Sequence, residues 1–266
     1  MENECKPSYR LISDDQIQRI HKATLEILEN VGVKISNDEG LELFRDYGCK
    51  IENENIVKIP SSLVEESIKT APKSIEIFSR DGDLAMSLED RNSYYGLGTD
   101  LVYTYDLETG RTRESVLQDV KNATIVADYC ENIDFLASFA LPHDVPTNIM
   151  YIECFKAEVE NSMKPIFFTA AGKEDLSYII KMAETVVGGE DQLKEKPFLI
   201  HYSEPLAPLT HSYGAINKLL LCAEKQIPIC YIPTVLLGAT GPVTLAGGIT
   251  QANAEALSGI VLNQLK

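Results

Sequence analysis

Short apolar runs of strand length recur through the second half of the chain. Each is followed by a loop of small and polar residues, then by a stretch whose apolar residues return at helical spacing. Centred on Phe135, Phe167, Leu199 and Cys230, the runs are 32, 32 and 31 residues apart. Three of them open on the same punctuation: Lys164-Pro165, Lys196-Pro197 and Ile227-Pro228. Strands are expected over residues 134–140, 166–170, 198–202 and 229–232. The helices between and after them are expected over 148–161, 174–187, 213–226 and 242–265, with Pro242 near the first position of the last. This beat predicts an α/β fold of the TIM (β/α)8 barrel type, with about the first four βα units present.

Ahead of the repeat the pattern is mixed. Ser13 and Gln16 form a capping-box signature. Ile17, Ile20, Thr24, Leu25, Ile27, Leu28 and Val31 then keep helical spacing up to Gly32. A second helix is expected over 38–47, a hairpin over 51–59 around Asn53-Glu54-Asn55, and a third helix from Pro60-Ser61 to before Pro72. Residues 74–79, 84–88 and 101–107 read as strands, the last turned back by Glu108-Thr109-Gly110. Residues 115–129 read as a helix with Val116, Val120, Ile125 and Val126 on its apolar side. No low-complexity linker intervenes. Residues 1–130 are therefore expected as an α+β region packed on the half barrel of residues 131–266.

Composition narrows the classes. Hydrophobic residues make up 44% of the 266, enough for a sizeable core. The apolar runs fall short of the ~20 residues of a membrane span, and the polar start of the chain carries no apolar signal segment, so the cytoplasm is the expected compartment. A net charge of −16 argues against a nucleic-acid partner. It suits steering of a cationic ligand or a basic partner, or solubility alone. Cys5, Cys49, Cys130, Cys154, Cys222 and Cys230 form no CxxC or zinc-like spacing and read as reduced, mostly buried small residues.

Function in such barrels gathers at the C-terminal ends of strands. The third strand end is the richest, with His201, Tyr202 and Glu204 within four residues. Strand alternation puts Tyr202 and Glu204 on one face and His201 on the other. A carboxylate beside an aromatic ring suits a cation. The alternative is a core tyrosine and a loop-capping glutamate. His143 and His211 read as surface or packing residues. The stretch Gly238-Ala239-Thr240-Gly241 could cradle an anion or simply make a tight βα turn, and it lacks a phosphate-loop lysine. Tyr94-Tyr95-Gly96-Leu97-Gly98-Thr99-Asp100 lies outside the four-unit repeat, as a β-bulge or as a loop folded over the barrel mouth.

Several stretches together resemble the trimethylamine methyltransferase family. They are Leu11 to Ile17, His21 to Leu28 and Val31-Gly32-Val33; Ile59-Pro60 with Ala71-Pro72-Lys73-Ser74; and Gly96-Leu97-Gly98 followed by Asp106 to Gly110. The most telling is Pro242-Val243-Thr244-Leu245-Ala246-Gly247 running on to Gln251-Ala252-Asn253-Ala254-Glu255. The resemblance implies a TIM barrel that takes a methyl group from a methylated amine, trimethylamine or a quaternary amine such as glycine betaine. The methyl passes to the cobalt of a corrinoid (a cobalamin-type cofactor) on a separate corrinoid protein. It also implies a longer chain, whose remaining part holds the last strands and, in some members, pyrrolysine. Positioning is then the main catalytic contribution. The substrate-binding candidates are Glu204, Tyr202, His201, Asp100 and Tyr95, with Thr240 or Asn253 toward a substrate carboxylate or the corrinoid. Catalytic residues are not assigned, and no metal site is expected. A barrel lyase or aldolase would want a lysine at a strand end, and the four strand ends carry none. The remaining alternative is a truncated half barrel without turnover, acting in partner binding or as a homo-oligomer through its open edges.

Overall fold

The computed structural model describes residues 9–266. Met1 to Ser8, including Cys5, lie outside the described residues. The first helix, α1 (Asp14–Glu26), is fixed by the expected capping box: Ser13 Oγ accepts from the Gln16 amide, and Gln16 Oε1 accepts from the Ser13 amide. It continues as a π-helical turn, Ile27–Val31, that ends at Gly32 with φ +84°. A Cβ at Gly32 would meet the Val57 carbonyl oxygen at 2.5 Å, so the close approach of the next strands requires glycine.

Then follow β1 (Val33–Ile35), α2 (Asp38–Asp46), β2 (Lys50–Glu52), β3 (Ile56–Lys58) and α3 (Ser61–Thr70). The expected hairpin turns through Asn53 and Glu54, both at positive φ. The hairpin β4 (Ile75–Phe78) and β5 (Leu84–Leu88) comes next, then a second hairpin, β6 (Tyr103–Tyr105) and β7 (Thr112–Glu114), and α4 (Leu117–Tyr129). The buried face of α4 is Val120, Thr124 and Ala127, whereas Ile125 and Val126 are exposed. The apolar side read from the sequence is thus rotated: α4 packs on α5, and that contact selects Val120 and Ala127.

The repeat follows as β8 (Leu136–Ala137), α5 (Met150–Asn161), β9 (Ile166–Phe168), α6 (Lys173–Val187), the short α7 (Glu190–Glu195), β10 (Leu199–Ser203), β11 (Thr210–His211), α8 (Tyr213–Lys225), β12 (Ile229–Tyr231) and α9 (Leu245–Leu265). Sheet order is β12-β10-β9-β8, every pair parallel. Pro242 lies outside the last helix. Thr244 is its N-cap and accepts from the Gly247 amide.

The parallel layer has a fifth member, against an expected four units. Residues 96–101 run beside β8, with parallel bridges Gly96 to Phe135 and Leu101 to Ala140. The Asp100 amide donates to the Ser138 carbonyl at 2.8 Å and the Leu101 amide to Phe139 at 3.2 Å. With α4 following, this segment is itself a βα unit. The Tyr94 to Asp100 stretch is therefore part of the parallel layer and not a bulge or a lid. Glycines at 96 and 98 hid it from a search for apolar runs, and the β6–β7 hairpin inserted before α4 hid its spacing.

Two cores result. One lies between the parallel sheet and its helices, around Leu136, Phe155, Ile166, Phe168, Leu176 and Leu199. The other joins the N-terminal elements (Leu28, Ile35, Phe44, Val57, Val64) to α8 and α9 through Leu219, Leu220, Val261 and Leu262. β11 seals that junction by pairing in parallel with β1. The five described cysteines are unpaired: Cys49, Cys154 and Cys222 are buried, Cys230 is half-buried and Cys130 is exposed.

Candidate functional site

Alternation along the strands splits their side chains. Leu199, His201 and Ser203 face the helices and are buried, while Ile200 and Tyr202 face the other side. On that other face the rings form a band: Phe135 and Phe167 have centroids 6.0 Å apart, and Phe167 and Tyr202 5.7 Å. At the N-terminal ends of the strands, the β4–β5 hairpin closes the band. The Phe78 amide donates to Pro197, and Ile75, Met86 and Leu88 line a cavity of about 510 Å³ with Tyr95, Phe135, Phe167 and Ile200.

At the C-terminal ends, the band meets carboxylates. The Tyr202 hydroxyl donates to Glu204 Oε2 at 2.9 Å, and the Thr234 hydroxyl donates to the same oxygen at 3.1 Å. Burial, and then the Glu204 carboxylate it donates to, push the Tyr202 hydroxyl up to about 12. Across the mouth, Asp100 at φ +59° accepts from the Thr169 hydroxyl at 3.3 Å. Burial raises the Asp100 carboxyl above its ordinary range, and the charge of Glu204 adds to it. Tyr151 is raised too, by burial and then by Asp100. Two acids, three hydroxyls and aromatic faces at an open mouth are chemistry for a cation that offers few hydrogen-bond donors.

The structure thus brings Tyr202, Glu204 and Asp100 to one end of the layer. Tyr95 lies at the opposite end, five residues down the same edge strand, or about 16 Å at ~3.3 Å per residue. His201 faces the helices, fully buried, its ring 5.0 Å from that of Phe168. Neither ring nitrogen has a partner, the Phe168 backbone approaching without completing a bond. Burial pushes its pKa down to about 3. Thr240 pins its own turn: its hydroxyl accepts from the Leu236 amide, and its carbonyl accepts from Gln251. Asn253 donates to the Thr24 hydroxyl and so ties α9 to α1. His211 is a packing residue, bonded to Tyr231 and Ser258 at 2.8 Å each, and His143 is partly exposed near Glu114.

Sequence reading missed Phe167, Thr169, Thr234 and Lys218. Period-two spacing from Phe167 would have found Thr169. Lys218 carried no signal, because only the packing of α8 brings its ammonium to the end of β9, where it donates to the Ala170 carbonyl at 3.0 Å. Among the described residues no group of three or more His, Cys, Asp and Glu could hold a metal ion, and no helix is long and apolar enough to cross a membrane.

Fold and site define an α/β protein with parallel strands and a carboxylate–aromatic mouth at their C-terminal ends. Residues 2–266 match the family described as trimethylamine methyltransferase (MTTB), and the chain belongs to that family. It is 30% identical to a glycine betaine methyltransferase of Desulfitobacterium hafniense strain Y51, over 97% of this chain and 54% of that protein. It is 31% identical to the trimethylamine methyltransferase MttB of D. hafniense strain DSM 10664 / DCB-2, over 95% of this chain and 51% of the relative. Against the MttB of Methanosarcina thermophila the identity is 29%, over 96% and 54%. The chain spans about half the length of the curated relatives it matches.

Proposed function

We propose that this chain is the N-terminal part of a cytoplasmic methyltransferase that moves a methyl group from a methylated amine to the cobalt of a corrinoid carried by a separate protein. In this reading the five parallel strands belong to a (β/α)8 barrel, with the N-terminal α+β region packed on it. The observation that carries the reading is the Tyr202–Glu204–Thr234 cluster at the strand ends, continuous with the Phe167 ring, in a family described as trimethylamine methyltransferase.

The corrinoid supplies the nucleophile. The chain's residues hold the amine. The rings of Tyr202 and Phe167 take the methylated face of the cation. Glu204 and Asp100 balance its charge. The hydroxyls of Tyr202 and Thr234 hold Glu204 in one orientation, and Thr169 holds Asp100. The C–N bond breaks with its electron pair left on nitrogen, so a quaternary amine departs neutral and needs no proton. Positioning of the methyl toward the open mouth is the catalytic contribution.

Tetramethylammonium titrated into the protein and followed by NMR line broadening tests the cation site. Binding is expected, weakened at least ~10-fold (about 1.4 kcal/mol) by Glu204→Gln. No binding, or binding that Glu204→Gln leaves unchanged, overturns the reading.

A further inference from the structure

The β6–β7 hairpin leaves the parallel layer just past Asp100 and makes a sheet of its own, two strands wide. Its turn is fixed from within. Asp106 accepts from the Thr109 amide and hydroxyl at 2.8 Å each, and the Arg113 guanidinium bridges Asp106 and Asp119 at 2.7–2.9 Å. The ribbon is held in shape, yet one face and one edge of it are bare. Tyr103, Tyr105 and Leu107 alternate along the same face and are 59%, 63% and 94% exposed. The Asp106 amide donates to Arg111 and the Ser115 amide to Val102, so the bonded pair between them is Thr104 with Arg113. The amides and carbonyls of Tyr103 and Tyr105 therefore point out of the free side of β6, where no strand pairs among the described residues.

Strand edges are commonly blunted by charged side chains, proline, a bulge or a cover. β7 carries Arg113 and Glu114, and β2, the edge of the N-terminal sheet, carries Lys50 and Glu52. β6 has no such guard: its register with β7 is regular, and Tyr103, Thr104 and Tyr105 have uncharged side chains. In a chain of net charge −16, two copies repel each other over most of their surfaces. A charge-free edge is where they can meet. This edge also fits itself. About a two-fold axis through Thr104, antiparallel pairing sets Tyr103 opposite Tyr105 of a second copy, twice, with all the rings on one face. The outward amides and carbonyls of both tyrosines are then bonded, and no charged side chain is buried. We propose that β6 is a self-association edge, through which two copies of this chain join antiparallel into a four-stranded sheet. The contact uses no edge of the parallel layer and does not depend on the cation site.

Sedimentation equilibrium of the purified chain should show a monomer–dimer equilibrium. Tyr105→Lys puts an ammonium into the pairing edge and should raise the dimer dissociation constant at least ~10-fold. Thr104→Cys sets two thiols across the axis, in a non-hydrogen-bonded pair close enough to bridge. Mild oxidation should then give a disulfide-linked dimer beyond any formed by the unaltered chain, whose Cys130 is exposed. Glu114→Cys, on the β7 edge, should give no such gain. A chain monomeric at every concentration overturns the proposal. So does a dimer that Tyr105→Lys leaves intact, or one that Thr104→Cys fails to cross-link, since that dimer is held by another surface, such as the open edge of β12. Should Tyr105→Lys fail to fold, the cross-link decides the matter.

Discussion

Glu158 sits on the inner face of α5, fully buried, and neither carboxyl oxygen has a hydrogen-bond partner. Burial, then the charge of Asp100, holds its pKa well above the ordinary carboxylate range. The folded protein binds its proton more tightly than the unfolded chain does. Its contribution is therefore full below the unfolded pKa and is lost as pH rises toward the folded one. Glu158→Gln replaces the protonated acid by a neutral isostere. It is expected to raise the melting temperature by a few degrees at pH 8 and to change it little near pH 4. A loss of stability at pH 8 would show that the carboxylate is ionised and paired. His201 runs the other way. Its folded pKa of about 3 lies below the unfolded value, so its contribution is lost as pH falls from about 6.5 toward 3. His201→Leu removes that titration and keeps an apolar side chain against Phe168, and the acid midpoint of unfolding should move to lower pH.

At the scale of elements, the edge segment 96–101 decides where Asp100 stands. A Cβ at Gly96 would meet the Phe135 ring at 2.3 Å, so Gly96→Ala must push the segment off β8 or turn the ring. It should cost about 1–3 kcal/mol in urea unfolding. It should also weaken tetramethylammonium binding, although residue 96 lies at the far end of the strand. Asn253→Ala makes the opposite separation. It frees the α1–α9 contact at Thr24, costs about 1 kcal/mol, and should leave ligand affinity unchanged. The same contrast explains what was legible in the sequence. The four apolar strands and their helices announce themselves by periodicity, and Ser13 and Gln16 cap α1 as written. The 96–101 segment owes its place to glycines that let it lie against Phe135. The two-residue β11 owes its place to a partner, β1, more than 170 residues earlier, and Lys218 to the packing of a whole helix. Local pattern found Tyr202 and Glu204 because both lie on one strand. From elsewhere it found Asp100, but it missed Thr169 and Thr234, which reach the mouth from other strands.

At the scale of the molecule, the parallel layer has five members, three short of the eight that close a (β/α)8 barrel. Beside β12, Leu236, Val243, Leu245 and Ile249 are exposed; beside the other edge, Leu101, Val102, Ile125 and Val126 are exposed. A second copy of this chain would bring five more strands and overshoot closure. The relatives are about twice as long, so the segment they have beyond the matched half is the better complement. Co-expression of this chain with such a segment should give a one-to-one complex. The amides of Ile229–Tyr231 should become protected from hydrogen exchange in it. Methyl transfer to a corrinoid protein should then appear in the complex and not in the 266-residue chain. The residues of this half are already bonded in place for the cation, so what a closed ring adds is turnover. Turnover by this chain alone, or the same amide protection in a homodimer, would show that the five-stranded layer completes itself in another way.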